Sequence, residues 1–144
     1  MVTALGSPVY NLGQFRTATA KLLVFKLGAT GVALPPMPPP SDLPRPPFLR
    51  ASEAQVSEGR ALYAQTGCNR CHGDNAVGGV KDLRFMAAET HAAFGDIVLK
   101  GTRADKGMAG FADVLTPAQA EAIHQYLIAR GNEDYADAAA RGGS

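Results

Sequence analysis

The spacing of apolar residues changes character partway along the chain. Lys21-Leu22-Leu23-Val24-Phe25-Lys26-Leu27 is a nearly continuous apolar run ending at Gly28, and it predicts a strand. Val9-Tyr10-Asn11-Leu12-Gly13-Gln14-Phe15 alternates roughly and predicts a second strand. From Ser52 onward the period is helical. Ser52 with Gln55 three places on is a capping box that opens a helix through about Gln65, with Val56, Gly59, Leu62 and Tyr63 on one face. Thr90 caps a short helix from about His91 to Lys100, stopped by Gly101. Thr116-Pro117 with Gln119 opens the last helix, which Ala120, Ile123, Tyr126 and Leu127 carry to Gly131. Glycine-rich residues 73–82 and the stretch from Gly101 to Phe111 read as loops.

Between the two regimes lies a proline tract. Pro35, Pro36, Pro38, Pro39, Pro40, Pro44, Pro46 and Pro47 are eight of the ten prolines. Proline at this density forbids helices and sheet ladders and favours extended polyproline II, a semi-rigid spacer of about 3.1 Å per residue. The chain therefore divides into a short strand-like segment at 1–34, a linker at 35–50, a compact domain at 51–131 and a flexible tail at 132–144. An isolated hairpin is marginal in water. Residues 1–34 are thus expected to add little stability, and removal of residues 1–47 to leave the melting temperature of the domain nearly unchanged.

The chain has 144 residues and a formal net charge of +1, which argues against nucleic acid as a partner. The excess of base is confined to residues 1–50, so the compact domain is nearly neutral. No apolar run reaches the roughly 18 residues of a membrane span. The apolar stretch from Lys21 to Leu34 lies too far from the N-terminus, behind too few basic residues, to read as a signal peptide.

Both cysteines fall in Cys68-Asn69-Arg70-Cys71-His72. Cys-x-x-Cys-His is the signature of c-type haem attachment. Two thiols three positions apart on one helical turn can each add to a vinyl group of the same haem, and the histidine that follows presents its imidazole to the iron. A thioredoxin-like Cys-x-x-Cys would want a strand before it, whereas the pattern upstream is helical. A zinc site needs four ligands. His91 and His124 could complete one only at a spacing that matches no compact zinc module. The motif thus implies one covalent haem c and its iron, held by Cys68 and Cys71 with His72 as axial ligand.

With three helices and this motif placed, residues 51–131 resemble a small class I c-type cytochrome, an all-α fold around one haem. Here a short β-like segment and a proline-rich linker precede it. Gly59 and Tyr63 of the first helix and Tyr126 of the last are similar to that fold's helix-crossing set. More narrowly, the chain resembles the C-terminal cytochrome domain of quinohaemoprotein (PQQ-dependent) alcohol dehydrogenases. Residues 21–28 resemble the last strand of the PQQ propeller, and the proline-rich linker falls where that family joins its domains. Lys106-Gly107-Met108-Ala109-Gly110-Phe111 resembles its distal-ligand loop.

For the sixth ligand the sequence offers Met37, Met86, Met108, His91 and His124. The resemblance points to Met108, 36 positions after His72 on a loop between glycines. Met86 then reads as core, and His91 and His124 as surface or capping residues. The resemblance also implies that a carbonyl in the following loop takes the other N–H of His72. Lys81 of Lys81-Asp82-Leu83-Arg84 stands where the family has proline, and its carbonyl can serve. Leu83, Phe85, Phe94, Ile97, Val98 and Phe111 are expected to bury the haem. Arg84 is expected either to reach a propionate or to lie solvated, and Lys81, Lys100, Arg103 and Lys106 to rim the haem edge.

Met/His ligation closes both axial positions and is the arrangement of electron-transfer cytochromes. The expected function is therefore a mono-haem carrier that is not itself an enzyme. It would take single electrons from a PQQ dehydrogenase domain and pass them to another cytochrome, a copper protein or an oxidase. Covalent haem attachment implies a periplasmic location. The alternative is a haem enzyme or ligand sensor with an open distal site, and a third possibility is an interaction module whose proline segment is the active part.

Overall fold

The computed structural model describes residues 2–5, 21–24, 27–28 and 42–142. Near the start, β1 (Val2–Leu5) pairs antiparallel with β2 (Lys21–Val24), with Val2 opposite Val24 and Leu5 opposite Lys21. The expected strand at Lys21 is present but gives way to a turn at Leu27–Gly28. The alternation expected at Val9–Phe15, and the linker from Pro35 to Pro40 with Met37, lie outside the described residues.

The rest is helical and has the all-α cytochrome c fold. In order come α1 (Glu53–Gln65), α2 (Asn69–His72), α3 (Ala88–Ala92), α4 (Phe94–Lys100) and α5 (Pro117–Gly142). Ser52 caps α1 by accepting from the Gln55 backbone N–H, one half of the capping box. Thr116 and Gln119 exchange bonds at the start of α5, where the Gln119 N–H donates to Thr116 Oγ1 and the Thr116 N–H to Gln119 Oε1. The helix expected over His91–Lys100 is two pieces, broken at Ala93, and it begins at Ala88 without a Thr90 cap.

Helices α1 and α5 cross at Gly59. A Cβ there would lie 2.0 Å from the Ala122 carbonyl oxygen, so only glycine allows this approach. Beside the crossing, the Tyr63 and Tyr126 rings meet at 5.5 Å and 59°. Around this pair the core gathers Ala76, Met86, Phe94, Val98, Leu115, Ala120, Ile123 and Leu127. Met86 is a core residue, as its sequence position implied.

Two expectations about the ends of the domain are corrected. Helix α5 does not stop at Gly131 and leave a frayed tail; it runs on to Gly142. Gly131 is buried because Pro46 lies against it. Past it, Arg130 pairs with Glu133 and Asp134 one turn on, which supports the extra turns. The end of the linker is likewise no free spacer. Leu43 is buried, the Pro47 carbonyl accepts from Asn132 Nδ2 at 3.0 Å, and the Arg50 N–H donates to Gln125 Oε1 at 3.3 Å. This strap covers the face of α5 turned away from the core, which is why residues 125–129 are buried in an unbroken row.

Candidate functional site

The Cys68–His72 motif forms one turn. The His72 N–H donates to the Cys68 carbonyl at 3.0 Å, and the Cys68 N–H donates to the Tyr63 carbonyl at 3.1 Å, which fastens the turn to the end of α1. The Tyr63 hydroxyl donates to the Gly73 carbonyl at 2.8 Å and fixes the exit. The following loop folds back, and the Val80 N–H reaches the Cys71 carbonyl at 2.7 Å. Cys68 is half-buried and Cys71 exposed, and the two are not joined in a disulfide. Burial raises the Tyr63 phenol above its ordinary pKa, so it is neutral at pH 7.

His72 Nδ1 lies 2.8 Å from the Lys81 carbonyl oxygen. A carbonyl only accepts, so Nδ1 carries the proton and Nε2 keeps its lone pair. The bond expected of a family proline is thus made by Lys81.

Met108 sits on the loop between α4 and α5. That loop is closed at its base by the Phe111 N–H donating to the Val98 carbonyl at 2.8 Å, and within it the Met108 N–H donates to the Arg103 carbonyl at 3.1 Å. Cys68, Leu83, Met108 and Phe111 are all half-buried and pack against the core cluster. Of the other expected pocket residues, Phe94 and Val98 belong to that cluster. Ile97 is buried but is not part of it, and Phe85 is half-buried.

Arg84 does not lie solvated. It is 6 % exposed, and its guanidinium is taken up by two carboxylates. Nε and Nη2 bind Asp82 at 2.9 and 2.5 Å, and Nη1 binds Asp134 of α5 at 2.8 Å. Burial alone would lower its pKa, but the two carboxylates outweigh burial and hold it charged. These bonds use three of its five side-chain N–H groups.

His91 and His124 are not surface residues. His91 Nδ1 lies 3.0 Å from His124 Nε2, and Phe94 stacks on His124 at 4.4 Å and 8°. Neither this pair nor the Arg84–Asp134 contact left a local signal, because the partners are 33 and 50 residues apart. Of the expected basic rim, Lys100 pairs with Asp96 and Arg103 donates to Thr90, while Lys81 and Lys106 are exposed. A cavity of about 570 Å³ lies between the strap, α1 and α5, where Arg60 and Arg130 face Glu53 and Glu133. It holds none of the thiol, imidazole or thioether groups.

Two thiols on one turn, an imidazole with one nitrogen engaged and the other free, and a thioether on a closed loop suit a haem iron. This donor set on this fold defines a c-type cytochrome domain. The chain belongs to that family: the model described as cytochrome c oxidase, cbb3-type, subunit III matches residues 54–127. Among curated proteins, quinohemoprotein alcohol dehydrogenase ADH-IIG of Pseudomonas putida is 42% identical over 79% of this chain and 16% of its own length. Quinohemoprotein alcohol dehydrogenase ADH IIB of Pseudomonas putida is 36% identical over 94% of this chain and 20% of its own. A solved structure of ADHIIG from Pseudomonas putida HK5 shares 42% identity at a TM-score of 0.61, covering 82% of this chain and 17% of that one. The chain thus spans a fifth or less of these relatives, and the likeness falls on a cytochrome domain, which implies electron transfer. Among the described residues, no helix is long and apolar enough to cross a membrane.

Proposed function

We propose that this chain is a mono-haem, one-electron carrier, with one haem c held covalently by Cys68 and Cys71 and its iron bound by His72 and Met108. The observation that carries this reading is the 2.8 Å contact between His72 Nδ1 and the Lys81 carbonyl. It fixes the tautomer that leaves Nε2 for a metal and makes that nitrogen a stronger donor. Haem held there supplies one-electron Fe(III)/Fe(II) chemistry. Met108 contributes a neutral, soft thioether that favours the ferrous state, and Leu83 and Phe111 exclude water, which disfavours the added charge of the ferric state. With His72 and Met108 both holding the iron, no position would be left for oxygen or substrate, and the chain itself would carry no catalytic residue.

The electron donor is a PQQ-dependent alcohol dehydrogenase unit, and the acceptor is another cytochrome, a copper protein or an oxidase. The similarity to quinohemoprotein alcohol dehydrogenases supports the donor. In this reading residues 1–34 are the last piece of the dehydrogenase propeller, 35–50 join it to the haem domain, and the protein works in the periplasm, where c-type haem is attached.

An optical spectrum of the protein produced in a host able to attach haem c, with a pyridine haemochrome beside it, tests this. A c-type haemochrome with the weak long-wavelength methionine-to-ferric-iron band is expected. Covalent haem that lacks that band and binds carbon monoxide readily would replace the carrier with an open-site haem enzyme or sensor. Absence of haem would sink the proposal.

A further inference from the structure

We infer that the Asp82–Arg84–Asp134 ion triad is a positioning device for the His72 imidazole, holding in place the carbonyl that accepts its Nδ1 proton. The inference rests on the reading of His72 as an iron ligand.

The accepting oxygen belongs to the peptide that joins Lys81 to Asp82. Its direction is set by the backbone of those two residues. A proline at position 81 would fix one of them, but this chain has lysine there, with an exposed side chain that anchors nothing. Asp82 is held instead. One of its carboxylate oxygens accepts from the Arg84 backbone N–H at 3.1 Å and from Arg84 Nε at 2.9 Å. The other accepts from Arg84 Nη2 at 2.5 Å. This closes a tight ring of side chain and backbone one residue from the carbonyl. Alone it would be a local knot on a loop. Arg84 Nη1 extends it to Asp134 at 2.8 Å, and Arg130 binds the other oxygen of Asp134 at 3.3 Å. The loop is thereby tied to α5, the longest helix. The tie needs the turns of α5 beyond Gly131, because Asp134 stands on them. Residues 82–84, 130 and 134 thus do what one proline ring does in the resembling family.

The sign of the effect separates this role from others. A strong bond from Nδ1–H to a carbonyl makes the imidazole a better donor and favours ferric iron. Loosening the bond raises the reduction potential. Removing the positive charge of Arg84 favours ferric iron by its field alone and lowers the potential. Admitting water to the haem also lowers it.

The test uses the full chain carrying its covalent haem, in the wild type and in R84Q, D134N and the double variant K81P/R84Q. Midpoint potential is read together with solvent exchange of the hyperfine-shifted His72 ring N–H by proton NMR. R84Q is expected to speed that exchange about tenfold, roughly one hydrogen bond's worth of protection; its potential carries both the loosened bond and the lost charge, so the exchange rate decides. K81P/R84Q is expected to return the exchange rate toward wild type. A merely structural triad would lower the melting temperature of R84Q and leave the exchange rate unchanged, with the potential unchanged or lower; that result overturns the inference. Should R84Q not accumulate in folded form, D134N decides. It leaves Arg84 bound to Asp82, and it raises the potential by loss of a carboxylate charge alone, so a smaller acceleration of the exchange supports the role and an unchanged exchange rate refutes it. A wild-type protein without a c-type haemochrome would instead refute the ligand assignment on which the inference stands.

Discussion

His91 of α3 and His124 of α5 are joined ring to ring, Nδ1 to Nε2 at 3.0 Å, with ring centroids 5.3 Å apart. The centroid spacing equals the nitrogen spacing plus the two ring radii, so the nitrogens point straight at one another. The contact is therefore a hydrogen bond between imidazoles, not a pair converging on a third atom. Glu121 lies 3.5 Å from His124 Nδ1 and selects the tautomers. His124 keeps its Nδ1 proton toward the carboxylate and accepts from His91.

This pair makes stability fall in mild acid. Burial first, and then the neighbouring imidazole, lower the pKa of His91; burial lowers that of His124 against the opposing pull of Glu121. The unfolded chain, with ordinary histidines near 6.5, takes up protons that the folded pair refuses. Stability is thus full above about pH 6.5 and is lost as pH falls through the lowered folded values. Denaturant melts from pH 7.5 to pH 5 should show the decline, and His91→Gln should flatten it. An equal slope in that variant would place the acid sensitivity elsewhere.

Gly59→Ala tests the helix crossing. The added methyl would meet the Ala122 carbonyl carbon and oxygen at 2.5 and 2.0 Å, and backbone cannot rotate away as a side chain can. A loss of about 3 kcal/mol is expected in chemical denaturation. Gly95, whose Cβ would meet nothing within 4 Å, is the control, and Gly95→Ala in α4 should be neutral or stabilising.

The strap across α5 should matter more than its composition implied. Leu43→Ala removes a side chain that is 8% exposed, at an expected cost of about 2 kcal/mol. Removal of residues 1–47 also takes away the Pro47 carbonyl that holds Asn132. A clear fall in melting temperature is expected for that deletion, and an unchanged one would mean that the strap is dispensable.

Met108→Ala separates carrier from open-site protein. The Met108 loop is closed at Val98 and Phe111 by backbone bonds that this substitution leaves intact. The domain should therefore stay folded, lose the long-wavelength band, bind carbon monoxide and drop in reduction potential. Retention of the band would move the sixth ligand to another residue.

Much of this protein is written in short stretches. The Cys68–His72 turn, the Ser52–Gln55 and Thr116–Gln119 caps, the Gly101 stop and the helical spacing from Val56 to Tyr63 each depend on residues within about one helical turn of each other. Such features survive being read one segment at a time, and with them came the family, the helices and the residues around the haem motif. Apart from the missing Thr90 cap and the helix break at Ala93, the readings that failed involved partners far apart in the chain. Gly131 looks like a helix stop because glycine favours helix ends, but Pro46, lying against it, and the ion pairs of Arg130 carry α5 onward. Arg84 looks like a surface arginine because nothing nearby but Asp82 answers its charge, and Asp134 is a neighbour only once α5 has packed. His91 and His124 look like isolated histidines until α3 and α5 meet. Local sequence determines what a segment can form from its own backbone and side chains. The cost of burying a charge or an imidazole is met by groups that only the packed helices bring within reach, and those pairings the tertiary structure alone decided.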